Sequence, residues 1–196
     1  SFLDLGTDGA TALERHLASW ESYLAWVVEG GDPSPLLDDC FAWLRANLGA
    51  CWPAHRRLLA RRPLAWLRTG ASALAMSWRY RKGPLGPPRK VFIKEFLQAG
   101  VIAEQVLAAG DVSQLHGHFC HGATTITWFA SRLTGLPFSF TAHAKDIYQA
   151  DQNPGDLLAR KLRAARFVAT CTDANRQHLE GRRDVHSCGV QTVYHG

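Results

Sequence analysis

From residue 114 onward the chain alternates short apolar runs with helical segments, and this alternation restricts the fold more than any other feature. Val91–Ala109 has helical spacing, with Phe92, Phe96, Val101, Ile102, Val106 and Leu107 as its apolar side. It leads into a strand at Gln114–Phe119. A helix at Thr124–Leu133, a strand at Pro137–Thr141 and a helix at Asp156–Ala165 follow. A strand at Phe167–Thr172, a helix at Asp173–Leu179 and a strand at Val190–Tyr194 end the series. Strands separated by helices cannot pair as tight hairpins. They predict a Rossmann-like α/β fold, a parallel sheet with right-handed helical crossovers. Ligands of such sheets bind beyond the carboxyl ends of the strands. Four clusters fall there: His118 to His121, His143 to Asp146, Thr172 to Asn175, and His195 with Gly196. A core has no use for four polar, imidazole-rich clusters on one edge, so that edge is the expected functional site.

Upstream the texture differs. Leu13, Leu17, Trp20, Leu24, Val27 and Val28 mark an amphipathic helix over residues 11–29, GGDPSP (30–35) breaks it, and Leu36–Leu48 reads as a second helix. From Phe41 to Lys94 there are twelve Lys and Arg and no Asp or Glu, whereas the rest of the chain carries ten basic and seventeen acidic groups. Trp43, Trp52, Trp66 and Trp78 are interleaved with these arginines, and Pro53 and Pro63 are expected to divide the stretch into short helices. Such Trp/Arg segments lie well at an anionic membrane surface. The plainer reading is a helical layer with tryptophans in the core and arginines in solvent. No nucleic-acid motif accompanies the charge, so nucleic acid is not an expected partner. KGPLGPPRK (82–90) is a turn-rich linker. It divides a helical, basic part (1–90) from an α/β core (91–196).

Five cysteines without a C-x-x-C fit a reducing compartment, and no apolar run is long enough to span a bilayer, so the expected location is cytoplasmic. The chain opens SFLDLG and stops at TVYHG, which reads as a fragment of something longer.

His116, His118 and His121 share the histidine spacing of the H-x-H-x-D-H motif of metallo-β-lactamase-like hydrolases, with Cys120 at the Asp position. A thiolate can ligate zinc, so a zinc hydrolase is one alternative. Strand alternation opposes it: His116 and His118 share a face, and one of them is expected to be buried in the sheet. The following helix–strand crossover also differs from that family's sandwich. For His116, His55, His16, His178 and His186 the expected role is a polar residue satisfied by the backbone.

HGHF (116–119), GLPFSFTAHAKDIY (135–148), RKLRAARFVATCTDANRQHL (160–179) and VYHG (193–196) resemble, in order and spacing, the N-terminal domain of family 4 glycosyltransferases. These are retaining GT-B enzymes, and the subgroup resembled acts in exopolysaccharide or colanic-acid-type assembly. The resemblance implies an acceptor-side domain whose donor-binding C-terminal partner, with its E-x7-E motif, is missing. Glu21 and Glu29 have that spacing but lie in the wrong half of the chain. It further implies transfer from a nucleotide-sugar to a saccharide or lipid-linked acceptor, without a bound metal or other cofactor, at the inner membrane face. By the same resemblance His143 faces the transferred sugar as the catalytic histidine. His118, Lys145, Asp146, Thr172 and Asn175 line the acceptor or sugar site, and His195 and Gly196 lead toward the donor side. Asp146 has a plainer role available as a helix cap, and so does Thr172 or, by preference, Asp173 at the next helix. A non-catalytic basic module that only binds membrane is the other alternative.

Overall fold

The computed structural model describes residue 49 and residues 51–83, 85–183 and 187–194. The helices expected over 11–29 and 36–48, with Trp43, lie outside the described residues, as do His195 and Gly196. A helical stretch over residues 51–61 precedes α1 (Pro63–Arg79) and α2 (Val91–Ala109). Then come β1 (Leu115–His118), α3 (Gly122–Thr134), β2 (Phe138–Ala142), α4 (Ala144–Tyr148) and α5 (Leu157–Ala164). β3 (Phe167–Thr170), α6 (Asp173–Glu180) and β4 (Gly189–Thr192) complete the series. The expected alternation is present, with one addition: α4, too short to show a period, follows β2 directly. Among the described residues no helix is long and apolar enough to cross a membrane.

All four strands pair in parallel in the order β1-β2-β3-β4, with Leu115 opposite Phe138, Phe140 opposite Val168 and Val168 opposite Val190. A sequential parallel order with crossovers of one hand stacks the helices on one face. Accordingly α3 lies against β1 and β2, and α6 against β3 and β4. The covered face carries Phe138, Phe140, Ala142, Val168, Thr170 and Val190, all buried. Each large apolar side chain so buried contributes roughly 1.5–3 kcal/mol. The other face bears His116, His118, Ser139, Thr141, Phe167, Ala169 and Gln191, and of these only Ser139, whose hydroxyl meets Gln114 and His116, is buried. This corrects the expectation for β1. His116 and His118 do share a face, but both are exposed, because no described element covers that side.

The described basic helices belong with the sheet, in one compact unit spanning Leu48–Gly196. α2 packs on α3, and α1 packs on both. Pro63 sits at the first turn of α1, where its missing N–H leaves nothing unpaired, whereas Pro53 lies within the helical stretch 51–61. His55 is buried and fixed at both nitrogens: Trp66 Nε1 donates to Nδ1 at 2.9 Å, and Nε2 meets the Leu97 carbonyl at 3.0 Å. The ring is therefore the neutral Nε2–H tautomer, and burial pushes its pKa down. Gly100 makes the room, since a Cβ there would stand 2.0 Å from His55 Nε2. The basic tract is thus mixed. Trp66 packs edge-on to Phe96 in the core, while Trp52 and Trp78 are exposed.

Candidate functional site

The carboxyl ends of β1 and β2 bring His118 and His143 together, with Nε2 atoms 3.2 Å apart and ring centroids separated by 4.8 Å. At that distance one nitrogen donates and the other accepts, so each ring sets the tautomer of its neighbour. His118 is exposed and His143 half-buried, and both end strands whose register is fixed, with His118 opposite Thr141.

Phe119, which no sequence pattern singles out, occupies the centre of this cluster. Its ring lies 4.5 Å from His118, 4.9 Å from His143 and 5.6 Å from His121, the last in a stacked arrangement. Its φ is +73°, the only positive value at a non-glycine position among the described residues, and it is 42% exposed. A bulky residue held left-handed costs on the order of 1–2 kcal/mol, and it persists only where its surroundings over-determine it.

Those surroundings form a buried polar framework. Thr124 Oγ1 donates to the Phe119 carbonyl at 2.7 Å, and Asp146 Oδ2 accepts the Cys120 amide. Lys161 is fully buried, and its ammonium donates to the Cys120 carbonyl (2.7 Å), the His121 carbonyl (2.8 Å) and Asn153 Oδ1 (2.8 Å). Asn153 Nδ2 closes the circuit on the Asp146 carbonyl at 2.9 Å. Every N–H of the ammonium is used, which is what allows a lysine in the interior. Burial still pushes its pKa down, against the opposing pull of Cys120, Glu95 and Asp146.

Asp146 is 2% exposed, with Oδ1 accepting the His143 amide at 2.8 Å and Oδ2 the Cys120 amide. Its carboxylate therefore ties the loop after β1 to the loop after β2, and both oxygens are engaged inside the protein. Lys145, one residue earlier, is exposed on α4. Thr172 caps α6, its Oγ1 accepting the Asn175 amide at 3.2 Å. Asn175 is buried, with Nδ2 3.5 Å from Cys171 Sγ. Asp173 is not the cap: it reaches across to β4, accepting from Thr192 Oγ1 at 2.7 Å and Tyr194 Oη at 2.8 Å. Thr172 and Asn175 thus belong to the end of β3 and the start of α6.

The H-x-H-x-x-H spacing does not converge. His116 is held by Ser139 Oγ at 2.8 Å and Thr141 Oγ1 at 2.9 Å on the open face, and His121 Nδ1 accepts the Gly122 amide at 2.7 Å. His116 thus finds hydroxyls rather than backbone. The Cys120 thiol is fully buried, donates to the Asp146 carbonyl at 3.3 Å, and is kept protonated chiefly by burial. Among the described residues no three His, Cys, Asp or Glu side chains are grouped to hold a metal ion.

Beside His121 a cavity of about 250 Å³ opens between Phe92 and Glu95 of α2, Gly122 and Thr125 of α3, and Gln152. Glu95 is buried, its Oε2 has no partner, and burial raises its pKa to about 7 although Lys161 pulls the other way.

Comparison with family models, curated proteins and solved structures finds no match to this chain. What the fold and the site define together is an α/β domain whose parallel sheet presents a histidine pair and a strained aromatic ring at its carboxyl edge.

Proposed function

We propose that this chain is the acceptor-side domain of a retaining, GT-B-type glycosyltransferase that moves a sugar from a nucleotide-sugar to a saccharide or lipid-linked acceptor in polysaccharide assembly. The observation that carries the reading is the His118–His143 pair, at hydrogen-bonding distance on adjacent strand ends and beside a loop held by a buried framework. Preorganised donors at a sheet edge suit a reaction in which positive charge develops at an anomeric carbon and hydroxyls must be oriented.

In this reading His143 hydrogen-bonds a hydroxyl of the transferred sugar, and its imidazole supports the developing charge. His118 fixes the tautomer of His143 through the shared Nε2 contact. Asp146 acts through the backbone as a positioning residue, and Lys145 offers an exposed cation to a phosphate or sugar oxygen. The donor nucleotide would be held by a second domain.

The test is sugar transfer by the full gene product, with the anomeric configuration of the product read by NMR. The His143→Ala variant should lose about 100-fold or more in kcat, the range of a lost electrostatic or acid–base contribution. Transfer within about fivefold of wild type would end the catalytic assignment, and would leave the non-catalytic membrane-binding module as the better reading.

A further inference from the structure

α1 carries an apolar face that no described residue covers. Leu64, Leu67, Ala71, Leu74 and Trp78 recur at alternating spacings of three and four, which aligns them on one side of the helix. Leu64, Leu67, Leu74 and Trp78 are 66%, 54%, 57% and 56% exposed, although the opposite side of the helix, Thr69, Ala73, Met76 and Ser77, is buried. Leu85, in the turn beyond the helix, is fully exposed as well. Isolated exposed leucines mean little, but an aligned row of them marks an interaction surface.

The charge around that row narrows the partner. No acidic residue occurs between Phe41 and Lys94. Some of the arginines there are committed within the fold: Arg57 to Glu104, Arg62 to the Thr134 carbonyl and Arg79 to Asp156. Arg61, two residues before α1, and Arg68 within it are exposed. A second copy of the same surface would bring arginines against arginines with no carboxylate to offset them. An anionic bilayer offers both an apolar interior for the leucines and phosphates for the guanidiniums. A helix of 17 residues lying flat would extend roughly 26 Å along such a surface.

We propose that the Leu64–Trp78 face of α1 docks this domain on anionic phospholipid membranes. The helix lies in the interfacial plane, leucines and Trp78 enter the boundary of headgroups and acyl chains, and Arg61 and Arg68 contact phosphates. The proposal does not depend on the glycosyltransferase reading.

Vesicle flotation of the purified chain tests this, using phosphatidylcholine vesicles with and without about 30% phosphatidylglycerol, the lipid that supplies the negative surface potential. The wild type should float with the anionic vesicles, not with the neutral ones, and should be released by salt. Leu67→Glu/Leu74→Glu should lose roughly tenfold or more of this binding. Arg61→Glu/Arg68→Glu should lose about fivefold per arginine, with an unchanged far-UV spectrum in both variants. Absence of wild-type binding, or undiminished binding by both variants, overturns the proposal. So does a wild-type dimer by light scattering that Leu67→Glu/Leu74→Glu dissolves, because the face would then serve a second copy.

Discussion

Replacing Phe119 by glycine and, separately, by alanine measures the strain stored at the candidate site. Both substitutions remove the same ring from its contacts with His118, His121 and His143, so those losses cancel in the comparison. What differs is the backbone. Alanine at φ +73° keeps a left-handed penalty of about 1–2 kcal/mol that glycine does not have. Glycine gives back about 0.5–1 kcal/mol through its larger unfolded-state entropy. Phe119→Gly should therefore be more stable than Phe119→Ala by about 0.5–1 kcal/mol, or about 2 °C in Tm for a chain of this size. Urea denaturation of the two variants gives the difference directly. If alanine is as stable as glycine, Phe119 is not strained, and its conformation ceases to be a mark of function. If the strain is there, saccharide affinity should fall in both variants alike.

Three further expectations follow from the framework. Lys161→Met keeps the volume but takes the ammonium away from the Cys120 carbonyl and Asn153 Oδ1, so unfolding free energy should fall by about 2–5 kcal/mol in chemical denaturation. Asp146→Asn can accept only one of the two amides now bonded to the carboxylate, and a loss of about 2–3 kcal/mol with weakened transfer is expected. A carboxylate that merely received substrate would lose activity without losing stability. Glu95 holds its proton more tightly folded than unfolded, with its pKa raised by burial from the ordinary 4.5 to about 7. Its contribution to stability is full below pH 4.5 and is lost as pH rises through 7. Glu95→Gln should accordingly raise Tm relative to wild type at pH 8 and not at pH 4; an equal effect at both would contradict the burial argument.

The order of strands and helices was legible because each crossover helix keeps one apolar side and each strand a short apolar run, and both periods survive tertiary packing. The two histidines could be placed at strand ends for the same reason. Their approach to 3.2 Å depends on the register of β1 against β2, which no local pattern encodes. Lys161 was missed although it left a trace: it occupies an apolar-stripe position among Leu157, Leu158 and Leu162, where a lysine reads as a slip. Its partners Cys120 and His121 lie 41 and 40 residues away. Asp146 was legible by half, since His143 is three residues back and suits a cap, while Cys120 is 26 residues away. The positive φ of Phe119 had no signal, because sequence announces such positions only when they are glycine or asparagine. The tryptophans were divided by tertiary contacts: Trp66 found His55 and Phe96, and Trp78 stays 56% exposed.

The most direct measurement of the site's role is long-range imidazole ¹⁵N NMR of the chain during titration with acceptor-type oligosaccharides. His118 and His143 should shift together and saturably, Phe119→Gly should weaken both responses, and buried His55 should stay still. Shifts absent from the pair, or no greater there than at His55, would contradict a sugar site at the carboxyl edge of β1 and β2.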